Sequence, residues 1–145
     1  MPMSLTKHLE LQQQAIVQLV ELLERERRAL AQARVDGEKL RELTACKQAA
    51  LQKLEQLEAI RYGAQLKLGY GPGRKGALKA AQDADCLATW RQLQALALRA
   101  REINASNGGV LSQRMACNQR ILSFFNSIVG NKLYGPDGRT QRSDA

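Results

Sequence analysis

From Leu5 onward the chain repeats a three-four spacing, Leu9, Gln12, Ile16, Leu19, Leu23, Glu26, Leu30, with Val20 and Leu22 widening the stripe. That period is one face of an amphipathic helix, and Ser4 is placed to cap its first amide groups. The predicted helix, residues 4–34, is on the order of 40 Å long. Val35-Asp36-Gly37 interrupts the pattern with an acceptor and a turn glycine. A second series follows, Leu40, Leu43, Lys47, Ala50, Leu54 and Leu57, with Cys46 and Leu51 beside it, and predicts a helix over 37–68. Two long stripes joined by a short break bury themselves by folding back on each other as an antiparallel hairpin.

Gly69-Tyr70-Gly71-Pro72-Gly73-Arg74-Lys75-Gly76 reads as a connecting loop, 69–76. Its glycines follow a helix rather than a strand and no Lys-Ser or Lys-Thr pair completes a phosphate loop, so nucleotide binding is not expected. Leu87, Trp90, Leu93, Leu96 or Ala97, Ala100 and Ile103 then line one side of a third helix, 78–105, with Trp90 as its largest wedge. Asn107-Gly108-Gly109 supplies the turn into a fourth helix, 110–130.

That fourth helix carries more apolar surface than a single contact requires. Leu111, Met115, Leu122, Phe125 and Val129 mark one face, and Cys117, Ile121, Phe124 and Ile128 mark a second beside it. One face serving the core and the other a partner would account for the surplus. The alternative is burial on both sides, in a four-helix bundle or a homodimer. The fold class is therefore all-α: one helical domain, 1–145, with a long antiparallel hairpin, a third helix packed on it and a shorter carboxyl-terminal helix, a three- to four-helix, coiled-coil-like bundle. The prolines, Pro2, Pro72 and Pro136, all fall outside the periodic segments.

Composition narrows the function classes. Charge is balanced up to Ile60, so the net charge of +8 comes from the remainder, including Arg61, Lys67, Arg74, Lys75 and Lys79 with no acid among them. Without interleaved aromatics or a recognisable motif this run reads as a solvated helix end and loop, with Lys67 complementing a helix terminus, rather than a nucleic-acid footprint. Glu21, Glu24 and Glu26 opposite Arg25, Arg27 and Arg28 read as a solvated, mutually paired surface. Cys46, Cys86 and Cys117 have neither disulfide nor zinc spacing and read as small buried hydrophobes. His8 is the one histidine, and no nucleophile-base or metal-ligand constellation accompanies it, so neither catalysis nor a metal cofactor is expected. No apolar run has the length of a membrane span, and the expected location is the cytoplasm.

Several elements together resemble the FlgN-type flagellar export chaperones. They are Leu19-Val20-Glu21-Leu22-Leu23-Glu24-Arg25-Glu26, then Ala29-Leu30 and the Asp36 break, and then Leu40-x-x-Leu43, Lys47 and the Leu54, Leu57, Arg61 series. The more specific ones are Asn104-x-x-Asn107-Gly108 before a short apolar helix and Tyr134-Gly135-Pro136-Asp137-Gly138 near the end. The resemblance implies a non-enzymatic cytosolic chaperone needing no cofactor. Its partners would be the carboxyl-terminal helical segments of flagellar hook-associated proteins and the cytosolic domain of the export gate, with no nucleic acid and no stable membrane insertion. A monomer or weak homodimer is expected. Leu111, Met115, Ile121, Leu122, Phe124, Phe125 and Ile128 are then the expected client surface. Tyr134, Gly135, Pro136, Asp137 and Gly138, in a flexible tail, 131–145, are the expected gate-docking element. The alternative is a homo-oligomeric coiled-coil adaptor without chaperone activity.

Overall fold

The computed structural model describes residues 4–108 and 112–130. Within them lie five helices and no strand: α1 (Leu5–Leu30), α2 (Gly37–Lys67), α3 (Gly73–Asp83), α4 (Leu87–Asn107) and α5 (Ser112–Val129). The all-α bundle built on a helical hairpin is as the periodicity predicts. Ser4 accepts the Lys7 amide at 3.2 Å, and Asp36 accepts the amides of Glu38 and Lys39 at 3.1 and 3.2 Å, so both long helices start at side-chain caps. Cross-contacts set the directions. Glu26 meets Lys47 and Gln12 meets Glu58, making α2 antiparallel to α1, while α4 has Trp90 under Arg61 at the Gln12–Glu58 level and Asn107 on the Leu23 carbonyl, so it runs parallel to α1. Helix α5 returns antiparallel to α4 and lies between it and α2, with Asn118 against Asn104 and Arg101 against Asn126.

The third predicted segment differs from what is observed. Helix α3 begins at Gly73, inside residues 69–76, and a sharp corner at Ala84-Asp85-Cys86 separates it from α4. Gly76 is part of the reason. A side chain there would collide with the carbonyls of Tyr70 and Gly71 and with Gln65, so the glycine permits the first turn of α3 to close over the end of α2. The Gln65 amide donates to the carbonyls of Gly71 and Gly73 and fixes that turn from below. At the far end Asp85 adopts φ 56°, and the Cys86 amide reaches back to the Ala81 carbonyl at 2.9 Å, a left-handed helix stop that usually carries glycine. The single helix expected over 78–105 is therefore two, α3 starting inside the glycine-rich stretch and α4 following a stop that carries no glycine.

The main apolar core takes Leu9, Ile16, Leu19 and Leu23 from α1, Leu51 and Leu54 from α2, Trp90, Leu93 and Ala97 from α4, and Ile121 and Phe125 from α5, and a separate small cluster of Ala29, Leu40 and Leu43 closes the turn of the hairpin. Burial of such side chains contributes about 1.5 to 3 kcal/mol each. Three polar residues stand within this packing where the stripe predicts apolar ones. Gln12, Glu26 and Lys47 are at most 1% exposed. Glu26 is thus not part of the solvated surface expected from Glu21, Glu24 and the arginines around it. Its carboxylate accepts from Lys47 Nζ at 2.7 Å, from Arg114 Nε at 3.2 Å and from Asn107 Nδ2 at 2.8 Å.

Removing a single member of a buried charge cluster strands the others, at a cost of about 3 to 5 kcal/mol. Glu26→Gln, which keeps the shape and deletes the charge, is expected to lower unfolding free energy by about that amount in a urea titration. A loss below about 1 kcal/mol would mean that the cluster is solvated.

Candidate functional site

Helix α5 is held at both ends by arginines aimed at helix carbonyls. At its start, Arg114 and Asn118 donate to the Gly108 carbonyl at the end of α4, with Arg114 at 2.8 Å, while Lys47 Nζ donates to Asn118 Oδ1 at 2.7 Å. One carboxylate, Glu26, thus faces two buried cations. The carbonyl end of α4 supplies the partial negative charge that balances the second. At the other end of α5, Arg101 donates to the Gly130 carbonyl at 2.9 Å and Arg74 to that of Val129 at 3.3 Å. Gly130 adopts φ 86°, and any side chain there would collide with the Arg74 guanidinium.

Between α2, α3 and α5 the bundle leaves a cavity of about 600 Å³, open to solvent and lined chiefly by apolar atoms. Trp90, Phe124, Ile128 and Ala77 form its apolar wall, with Ala59 and Tyr62 on the α2 side. Phe124 is fixed edge-on against Phe125, ring centres 5.1 Å apart, and Arg61 lies 5.5 Å over the Trp90 ring. The charged lining residues are Glu55, Glu58, Arg61 and Arg74. Glu55 pairs with Arg120 at 2.6 Å across to α5, and Glu58 pairs with Arg61. The lining is mostly apolar with a few charged groups among it, which suits an amphipathic side-chain row better than a small polar substrate.

The expected client residues are not brought to one surface. Ile121 and Phe125 are fully buried and Ile128 is 2% exposed, packed among α1, α2 and α4. Phe124 and Ile128 also line the groove, whereas Met115 is 51% exposed and Leu122 half-buried on the outer side of α5. Leu111 and Tyr134, Gly135, Pro136, Asp137 and Gly138 lie outside the described residues. The basic run divides as well: Lys67, Lys75 and Lys79 are solvated as expected, but Arg61 is buried and Arg74 is half-buried in the groove wall. Sequence reasoning missed the arginines because a basic residue looks the same whether it faces water or a helix end. Gln12 and Glu26 in the first apolar series and Lys47 in the second are the sequence signal that polar groups enter the core.

The cysteines also separate. Cys86 and Cys117 are buried as expected, but Cys46 is exposed on α2. Burial pushes the Cys117 thiol up, nearby Glu26 adding to this and Lys47 and Arg120 opposing it. Cys46 is therefore expected to react first with a maleimide at neutral pH, Cys117 only when α5 detaches or the chain unfolds; equal labelling of both in the native protein would contradict the docked position of α5. Phe125→Ala is expected to cost about 3 to 5 kcal/mol of stability and Met115→Ala no more than about 0.5, both read from denaturant midpoints. Similar costs for the two would mean that α5 presents a different face to the core.

Among the described residues no helix is long and apolar enough to cross a membrane, and no group of His, Cys, Asp or Glu is arranged to hold a metal. Neither the curated proteins nor the solved structures contain a match to the chain. The family model described as FlgN protein matches residues 1–142, nearly the whole chain. The chain belongs to the FlgN family, a family of flagellar export chaperones.

Proposed function

We propose that this protein is a cytoplasmic export chaperone. It holds the carboxyl-terminal helical segments of flagellar hook-associated proteins before assembly and delivers them to the cytosolic domain of the flagellar export gate. The observation that carries the reading is the apolar groove of Trp90, Phe124 and Ile128 between α2, α3 and α5. A segment that would otherwise self-assemble is kept apart by giving its apolar stripe another surface. Ordering the segment offsets much of the contact energy, so it can be released without nucleotide hydrolysis.

Within the proposed client surface the residues divide by role. Phe124 and Ile128 meet the client in the groove, Met115 and Leu122 extend the contact along the outer side of α5, and Ile121 and Phe125 hold α5 in place. Leu111, outside the described residues, is a further client residue in this reading. Tyr134, presented by Gly135, Pro136, Asp137 and Gly138, docks on the export gate.

Ala59 is exposed and lines the groove without entering the core, so Ala59→Arg obstructs the groove and leaves the fold intact. Calorimetric titration with a hook-associated protein's carboxyl-terminal segment is expected to give a one-to-one complex with a negative heat-capacity change. Ala59→Arg is expected to weaken it by about 1 to 4 kcal/mol. Unchanged affinity in the folded variant would remove the groove from the reading. Absence of binding together with a dilution-resistant dimer in light scattering would favour the homo-oligomeric adaptor.

A further inference from the structure

With Arg120 of α5 counted, three cations stand against the groove's two carboxylates. Both of its carboxylates already have cations: Glu55 has Arg120, and Glu58 has Arg61. Arg74, at the opposite rim, forms no ion pair with any carboxylate among the described residues. Its NH1 spends one hydrogen bond on the Val129 carbonyl at 3.3 Å, and its Nε is buried without an acceptor. The Nε itself is sealed from the groove, but Arg74 is partly exposed and lines it, and a carboxylate is the group that pairs with the remaining guanidinium nitrogens in both charge and geometry. Position adds to this, since the backbone around Gly130 and the first turn of α3 hold the Arg74 side chain at the groove rim.

We infer that the groove between α2, α3 and α5 takes an amphipathic helical segment whose apolar anchor packs on Trp90, Phe124 and Ile128 and whose neighbouring Asp or Glu side chain pairs with Arg74. Arg74 is thus a specificity residue: it selects acidic-flanked apolar segments and rejects those with a basic residue at that point. This rests on the chaperone reading for the identity of the partner, but the chemistry of the groove stands without it. Arg74 also supports the end of α5, so loss of binding on its removal is ambiguous by itself, and the test requires a gain.

The sole tryptophan, Trp90, is 4% exposed and lines the groove, which makes its emission a direct reporter of occupancy. The full chain is titrated with a synthetic carboxyl-terminal segment of a hook-associated protein. Variants of the segment carry each acidic residue replaced in turn by Lys, and a further form has an amidated terminus. For wild-type protein one Lys replacement is expected to weaken binding at least tenfold, with amidation without effect. For Arg74→Glu the preference is expected to reverse, that same Lys segment binding at least tenfold tighter than the parent. A purely structural role for Arg74 would weaken all segments alike and would overturn the proposal. So would a requirement for the free terminal carboxylate. Trp90 emission that shifts with protein concentration alone, or on Asp137→Asn without any segment, would give the groove to a second copy or to the chain's own end, and would also overturn it. If no segment changes Trp90 emission in the wild-type protein, the chaperone reading of the groove fails first, an outcome distinct from binding that is indifferent to Arg74.

Discussion

One carboxylate between two cations, sealed from water where α1, α2, α4 and α5 meet, decides the shape of this protein. Glu26, Lys47 and Arg114 have side-chain exposures of 0, 0 and 3%. Apolar packing alone would tolerate α5 in several registers, because its Ile and Phe side chains can exchange partners at modest cost. Directional bonds from Lys47 to Asn118, from Asn104 to the Asn118 carbonyl and from Arg114 to Gly108 fit one register. Packing supplies the driving force for docking, and the polar cluster supplies its uniqueness.

The groove is a consequence of that register. With its first turn pinned against Glu26 and its last against Arg74 and Arg101, α5 runs beside α2 without closing on it along its second half. On the groove's apolar wall Arg61 lies over the Trp90 ring and Phe124 packs edge-on against Phe125. The excess positive charge of the second half of the chain acquires a structural meaning here. Arg74, Arg101 and Arg114 all donate to carbonyls at helix ends, where partial negative charge accumulates.

Much of the architecture was legible in the sequence, because helical periodicity and side-chain caps are local. The stripes of α1, α2 and α4 and the caps at Ser4 and Asp36 are read directly from spacing. The start of α3 at Gly73 was not, since that glycine-rich stretch looks like a loop until Gln65 and the end of α2 are seen to hold its turn. The site was less legible. Most of the apolar surplus on α5 is buried in the bundle itself, and spacing does not distinguish Phe125, buried in the core, from Met115, which faces water. Glu26 shows the same limit from the polar side: its neighbours suggest solvent, and only the partners from three other helices show why it is buried. Asn104, Asn107 and Gly108, notable in the sequence as a family resemblance, prove to be the α4 end of the cluster that places α5.

The central claim, that the gap between α2, α3 and α5 is the client surface, is tested most directly by amide hydrogen exchange of the protein with and without a saturating hook-associated segment. Protection is expected at residues 59–62, 73–77 and 124–128, with none on the outer face of α1 around residues 13–18. Protection confined to α1, with exchange unchanged along the groove, would contradict the account.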